Sequence, residues 1–175
     1  GGKWKSRKLN KLLKITKNSI IRPTTDRVKE NIFNIIDNLD TKNLISGARV
    51  LDIFCGTGAL GIEAISRGAS FCHFMDQSLV AKKITEDNIK NLSCEANSKF
   101  TLINVLELGL SLEGKNDIVF LDPPYGKNLA ENTINTLLKN GWINKKSLLI
   151  LEKDKDELFQ LDLRLLDKRR YGNTE

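Results

Sequence analysis

The sequence is poor in the residues that build metal centres and disulfide frameworks. It has one histidine, His73, and three cysteines, Cys55, Cys72 and Cys94, among 175 residues. The cysteines are odd in number and show no C-x-x-C spacing, so we expect neither a disulfide framework nor a zinc site. A reducing cytoplasm is the compartment that fits best. Mechanisms that need a histidine pair or a histidine-ligated metal are nearly excluded, and we predict no metal.

Long apolar runs are also missing. The longest, LLILE at residues 148–152, is far shorter than the roughly 20 residues that cross a bilayer, so we predict no membrane partner. No secretory segment opens the chain, which starts on Gly-Gly without Met, and we expect a trimmed start. A chain of 175 residues that is 40% hydrophobic is long enough for one globular domain with a sizeable core.

Acidic residues are absent from the first 22 positions, which carry a charge of +8, whereas the rest of the chain carries −2. A basic arm on a near-neutral body suggests a polyanionic partner, most commonly nucleic acid. The plainer alternative is a lysine-rich tail that keeps the protein soluble. We therefore divide the chain into a basic arm or hairpin (1–22) and a domain (23–175).

Strand and helix patterns alternate along residues 48–154. Continuous apolar strands joined by helical crossovers are typical of an α/β fold with a parallel sheet covered on both faces. The expected strands are ARVLDIF, SFCHFMD, KFTLINV, NDIVFLD and SLLILEKD, and RPTTDRVKENIFNIIDNL is predicted to form a helix before them. Between the strands, helices are expected at ALGIEAISRG, from a cap at Ser78 to about Leu92, and at LAENTINTLLKNG.

A glycine-rich loop follows the first strand in LDIFCGTGALGIEA. Gly56, Gly58 and Gly61 fit G-x-G-x-x-G between a strand and a helix, where glycines permit a tight turn and close approach of a ligand. Asp76 ends the second strand about 20 residues later, where a carboxylate can accept both hydroxyls of a ribose. The pattern predicts an adenosine-bearing ligand.

Asp52 helps to decide which adenosine-bearing ligand that is. A nicotinamide or flavin cofactor would put a pyrophosphate near this acid, which would repel it. An acid there is compatible with the amino group and sulfonium of S-adenosylmethionine. The alternative for Asp52 is a purely structural acid that hydrogen-bonds the backbone of the glycine loop.

The stretch VFLDPPYGKN places Asp122, Pro123, Pro124 and Tyr125 at the end of another strand. Adjacent prolines fix φ and remove two N–H donors, so the loop is rigid. Asp122 and the Pro123 carbonyl can each accept a hydrogen bond from a ring-bound NH2 group, while Tyr125 stacks on the ring. This arrangement predicts methyl transfer to an exocyclic amine, with alignment as the main source of rate.

Four segments together resemble the bacterial 16S rRNA guanine-N2 methyltransferase family, a class I S-adenosylmethionine-dependent group. They are GGKWKSRKL, RPTTDRVKENIFNII, LDIFCGTGALGIEAISRGAS and NDIVFLDPPYGKNL. The resemblance implies a Rossmann-like, mostly parallel seven-stranded sheet. It also implies one guanine (966 in standard ribosomal numbering) as substrate, on a partly assembled 30S subunit. The family's last strand follows a segment like RRYGNTE, so we expect the end of the sheet to be missing.

The candidate site residues fall into three groups. Those for catalysis are Asp122, Pro123, Pro124 and Tyr125. Those for the cofactor are Asp52, Phe54, Gly56, Thr57, Gly58, Asp76, Gln77, Asn104 and Asp122, with Asn104 on the adenine. Those for RNA are Lys3, Lys5, Arg7, Lys8, Arg22, Thr24 and Arg27, of which Arg22 and Arg27 can instead hold the cofactor carboxylate.

Three other functions are compatible with parts of the sequence. Adenine-N6 methylation of DNA or RNA is the main alternative, because both target atoms are ring amines. An NAD-dependent oxidoreductase leaves DPPY unexplained, and a catalytically silent RNA-binding assembly protein leaves Asp122 and Tyr125 unexplained. The chain is expected to act as a monomer.

Overall fold

Five short strands form one parallel sheet in the computed structural model, which describes residues 2–4, 7, 9, 26–39, 43–124, 129–154, 156 and 159–170. The spatial order is β3-β2-β1-β4-β5, and each neighbouring pair is parallel. The strands are β1 (Arg49–Ile53), β2 (Phe71–Asp76), β3 (Ser98–Leu102), β4 (Ile118–Leu121) and β5 (Leu148–Leu151). The order reverses between β1 and β4, which is where an open α/β sheet binds its ligand.

Helices occupy the segments that the sequence predicts. They are α1 (Asp26–Leu39), α2 (Ala59–Ser66), α3 (Leu79–Asn91) and α4 (Leu129–Lys139). The predicted cap of α3 is confirmed, because the Ser78 hydroxyl accepts a hydrogen bond from the Ala81 N–H at 3.3 Å. Across the described residues, no helix has the length and apolar character needed to span a membrane.

The two faces of the sheet have separate hydrophobic clusters, as alternation of side chains along a strand requires. One cluster packs α1, α2 and α3 against residues such as Val50, Phe74 and Phe120. The other packs α4 against residues such as Leu51 and Val119. The prediction of a parallel sheet with helices on both faces is therefore confirmed.

Two parts of the fold prediction are not confirmed. The described residues contain five strands rather than seven, and residues 159–170 form no strand of the sheet. Most of the basic arm lies outside the described residues, so its form as an extended arm or hairpin and the boundary at residue 22 stay predictions.

The three cysteines and the single histidine are buried in the described core. Cys55, Cys72 and Cys94 are free thiols, and all three are buried. His73 is buried on β2, where its Nε2 lies 2.7 Å from the Thr101 hydroxyl. Burial lowers the pKa of His73 to about 4, although Glu113 opposes that shift, so the imidazole is neutral at physiological pH.

Candidate active site

Strand register brings three predicted site residues to one edge of the sheet. Ile53 of β1 is level with Met75 of β2 and Leu121 of β4. The residues that follow, Phe54, Asp76 and Asp122, therefore occupy neighbouring positions at the carboxyl ends of the strands. Since neighbouring strands are 4.7–4.9 Å apart, the backbones at Asp76 and Asp122 are separated by about 10 Å, with Phe54 between them.

The glycine loop has the backbone conformation that its glycines permit. Gly56 and Gly58 have φ values of 54° and 73°, in the left-handed region. The third glycine serves packing, because a Cβ on Gly61 would overlap Cys72 and Phe74 of β2. The loop and the start of α2 are thus held close to the sheet, as the motif predicts.

Phe54 is a bulky residue with a φ of 58°, a conformation that costs a side-chain-bearing residue about 1–2 kcal/mol. Its ring is half-buried against the hydrophobic cluster on the α4 face. Strain of this kind is concentrated at functional sites, which favours the predicted role of Phe54 beside the cofactor.

Asp76 connects β2 to the glycine loop. Its Oδ2 accepts a hydrogen bond from the Gly56 N–H at 3.0 Å, and its Oδ1 accepts one from the Ser78 N–H at 2.9 Å. Each carboxylate oxygen has a second lone pair, so both can also accept a ribose hydroxyl. Asp76 is therefore placed both to fix the loop and to bind a ribose, and the ribose contact stays a prediction.

Asp52 makes the structural hydrogen bond to the backbone that is the alternative to its predicted cofactor contact. Its side chain is 2% exposed, and its Oδ2 accepts a hydrogen bond from the Gly61 N–H at 2.8 Å. Burial raises the pKa of Asp52 to about 8, with the Gly61 hydrogen bond opposing the shift and the Asp122 and Asp76 carboxylates adding to it. The acid holds the first turn of α2, and direct contact with a cofactor stays a prediction.

The raised pKa of Asp52 predicts how stability depends on pH. The folded chain keeps a proton on this side chain up to about pH 8, whereas the unfolded chain releases it near pH 3.8. The folding free energy from this group is therefore fully present below pH 4 and is lost as the pH rises to 8. Relative to Asp52→Asn, we expect the wild type to lose up to about 1.4 kcal/mol per pH unit in that window. Denaturant unfolding of both proteins from pH 5 to 9 tests this, and parallel profiles would contradict it.

Gln77, Thr57 and Asn104 are the remaining cofactor candidates, and they lie in different surroundings. Gln77 is exposed just beyond Asp76, and Thr57 is buried within the loop. The Asn104 side chain is used locally: its Oδ1 accepts from the Leu106 N–H at 3.2 Å and its Nδ2 donates to Glu107 at 3.1 Å. Asn104 caps a short turn after β3, so its predicted contact with adenine is not tested by these bonds.

The DPPY segment begins at the switch point of the sheet. Asp122 is half-buried directly after β4, Pro123 is buried and Pro124 is exposed. Tyr125 lies outside the described residues, so its stacking role stays a prediction.

The RNA candidates that the structure describes lie on separate segments of the chain. The Lys3 N–H donates to the Ser66 carbonyl at 2.8 Å, and Trp4 packs on the core cluster beside α2. Because α2 runs from the glycine loop towards the opposite edge of the sheet, Lys3 is remote from Asp122. Arg27 is exposed in the first turn of α1, whose other end pairs with the end of α2 through Asp37 and Arg67 at 2.9 Å.

The other RNA candidates cannot be placed. Arg7 is exposed. Lys5, Lys8, Arg22 and Thr24 lie outside the described residues.

Two residues of the site were missed by sequence reasoning. Thr85 and Asn88 of α3 are buried and hydrogen-bond the glycine loop. The only signal for them was a pair of polar residues on the buried face of an amphipathic helix. In the described part of the chain, no group of three or more His, Cys, Asp or Glu residues could hold a metal ion.

Comparison with known proteins agrees with this geometry. The family described as Conserved hypothetical protein 95 matches residues 1–175. The ribosomal RNA small subunit methyltransferase D of Escherichia coli K12 is 35% identical over 88% of this chain and 73% of its own length. The Haemophilus influenzae protein of the same name is 34% identical over 89% of this chain and 78% of its own length.

A solved Escherichia coli structure superposes with a TM-score of 0.81 at 32% identity, covering 99% of this chain and 91% of that one. The chain therefore belongs to the ribosomal RNA small subunit methyltransferase D family and is a class I methyltransferase.

Proposed function

We propose that this enzyme transfers the methyl group of S-adenosylmethionine to the exocyclic N2 amine of a guanine in 16S rRNA, of the guanine 966 type. The observation that carries the proposal is the neighbouring placement of Asp76, Phe54 and Asp122 on the ends of β2, β1 and β4. Asp76 at the end of β2 offers an acceptor for a ribose. Asp122 after β4, about 10 Å away, offers an acceptor for an amine.

The charge of the site fits S-adenosylmethionine better than a dinucleotide. Asp52, Asp76 and Asp122 are close enough for the last two to raise the pKa of the first. Because Asp52 keeps its proton at neutral pH, the acidic character of this edge comes from Asp76 and Asp122, which favour the ammonium and sulfonium groups of S-adenosylmethionine and oppose a pyrophosphate. When bound, the cofactor supplies a methyl group already activated by its sulfonium, with Asp76 holding the ribose and the glycine loop holding the methionine portion.

The DPPY segment supplies the acceptor half of the reaction. Asp122 and the Pro123 carbonyl accept hydrogen bonds from the two amine hydrogens, which aims the nitrogen lone pair at the methyl carbon. In the transfer, the amine nitrogen bonds to the methyl carbon as the carbon–sulfur bond breaks, and the amine then loses one proton to solvent. Alignment and preorganised acceptors supply most of the acceleration, so no strong base is required.

The substrate that fits the whole chain is rRNA in an assembling 30S subunit, reached by a monomer in the cytoplasm. The family match includes the basic arm, which a methyl-transfer domain alone does not require. The named relatives act on small-subunit rRNA by their names. Adenine-N6 methylation is the alternative, because DPPY does not distinguish two ring amines, but it gives the arm and the RPTTDR segment no role.

The proposal is tested by incubating immature small subunits, mature subunits and naked 16S rRNA with the enzyme and labelled cofactor, then mapping the modified nucleotide by mass spectrometry. We expect one N2-methylguanine, formed best on immature subunits. Labelled N6-methyladenine would support the alternative, and no label in any RNA would overturn the proposed substrate.

The positive charges of the basic arm, residues 1–22, are predicted to bind RNA. Since Trp4 and Leu9 pack on the core, the charges should be removed without deleting the segment. In Lys8→Gln/Lys11→Gln/Lys14→Gln, we expect the salt slope of RNA binding to fall by about 0.7–0.9 for each lost phosphate contact, with cofactor affinity unchanged. Lys115→Gln/Lys139→Gln/Lys145→Gln removes three exposed lysines of the domain and is the matched control. Equal slopes for the two triple variants would reduce the arm to a solubility tail.

A further inference from the structure

Two polar side chains of α3 are buried completely and hold the glycine loop from behind. Thr85 and Asn88 are 0% and 1% exposed. The Thr85 hydroxyl donates to the Gly56 carbonyl at 3.1 Å, and the Asn88 amide donates to the Thr57 carbonyl at 3.0 Å. The two residues are three apart, so they lie on the same face of the helix.

Such residues are unusual in the buried face of a helix. A buried hydroxyl or amide costs free energy unless it is hydrogen-bonded, whereas an apolar side chain would pack there at no such cost. Both side chains donate a hydrogen bond to a carbonyl of the same four-residue turn, residues 55–58. Their effect is therefore concentrated on the conformation of the loop.

The direction of the Gly56 carbonyl fixes the direction of the Thr57 N–H, because both belong to the same peptide group. A trans peptide directs its C=O and N–H to opposite sides. With the Gly56 carbonyl directed at Thr85, the Thr57 N–H points away from α3. The adjoining N–H groups are already used within the fold, because Gly56 donates to Asp76 at 3.0 Å and Gly58 donates to the Cys55 carbonyl at 2.7 Å. Thr57 thus presents the outward donor of the turn.

We propose that Thr85 and Asn88 are positioning residues for the cofactor. By holding the Gly56 and Thr57 carbonyls towards α3, they fix the Thr57 N–H in the direction of the methionine carboxylate of S-adenosylmethionine. The inference rests on the proposed function, since it concerns the same cofactor. It adds that α3 determines cofactor affinity without touching the cofactor.

The test uses isosteric variants of the full-length chain. Thr85→Val removes the donor and keeps the shape, and Thr85→Ser restores a hydroxyl. Thr133→Val is the matched control, because Thr133 of α4 is also 0% exposed and its hydroxyl has no hydrogen-bond partner among the described residues. Calorimetry measures the binding of S-adenosylmethionine and S-adenosylhomocysteine, and thermal unfolding is recorded for each variant.

We expect Thr85→Val to bind both ligands roughly 10-fold more weakly, which corresponds to one hydrogen bond of about 1.4 kcal/mol. Thr85→Ser should recover most of the affinity, and Thr133→Val should match the wild type. At saturating cofactor, kcat and the KM for RNA should change less than the cofactor KM.

Each outcome bears on the inference. Wild-type affinity in Thr85→Val would overturn it, as would a Thr133→Val variant that is equally impaired. If Thr85→Val lost thermal stability but kept its affinity, the role would be purely structural. A wild-type chain that binds neither ligand would overturn the proposed cofactor and this inference with it, so the two failures are distinguishable.

Discussion

Asp122→Asn should lower kcat by about 100-fold or more while leaving cofactor affinity nearly unchanged. The substitution keeps the shape of the side chain but replaces one acceptor oxygen with an NH2 donor facing the substrate amine. The lost hydrogen bond strengthens as the amine nitrogen becomes tetrahedral, so the loss is expressed in the transition state. Single-turnover methylation of immature small subunits measures it.

The control for this variant lies at the other end of the same strand. Asp117 precedes β4 at the opposite edge of the sheet, where its Oδ2 accepts a hydrogen bond from the Arg49 N–H at 2.9 Å. Asp117→Asn changes the charge by the same amount but is remote from the acceptor site, so its rate should stay near that of the wild type. A wild-type rate in Asp122→Asn would contradict the role proposed for DPPY.

Tyr125 is tested by a pair of variants beside Asp122→Asn. If its ring face is the stacking platform for the guanine, Tyr125→Phe should have a mild effect because the face remains. Tyr125→Ala should lose about 1–3 kcal/mol of stacking. Equal damage by the two substitutions would assign the hydroxyl, rather than the ring, to the reaction.

The parts of the fold that were predictable depend on local sequence. Apolar strands of four to six residues, the Ser78 cap and the glycines at positive φ each follow from a few neighbouring residues. Because strands alternate with helices, the strands are parallel. Their carboxyl ends, with Asp76 and Asp122, therefore lie at one edge of the sheet. This is why the neighbouring placement of these two carboxylates could be predicted from the sequence.

Other features depend on contacts between segments far apart in sequence. The burial of Asp52 depends on where the Gly61 N–H at the start of α2 lies, and the contacts of Thr85 depend on how α3 packs against the loop. Asn104 shows a different effect, because its short side chain hydrogen-bonds the nearby backbone, which its position at a strand end does not reveal.

Asp76→Ala should weaken the binding of S-adenosylmethionine and S-adenosylhomocysteine by at least about 1.5–3 kcal/mol, the value of a hydrogen bond to a charged group. Two losses coincide in this variant. The ribose loses its carboxylate acceptor, and the Gly56 N–H loses the Oδ2 that fixes the glycine loop at 3.0 Å. The loop contribution means that the effect should exceed that of a ribose contact alone.

Asp76→Asn separates the two contributions. The amide keeps one oxygen, which can accept from either the Gly56 or the Ser78 N–H, while its NH2 group meets the other donor. One of the two backbone bonds is therefore lost, and the charge is removed. We expect an affinity between those of the wild type and Asp76→Ala, with Asp87→Ala on the exposed side of α3 as the control. Calorimetry with S-adenosylhomocysteine measures all four proteins, and an unchanged affinity in Asp76→Ala would refute the placement of the ribose at the end of β2.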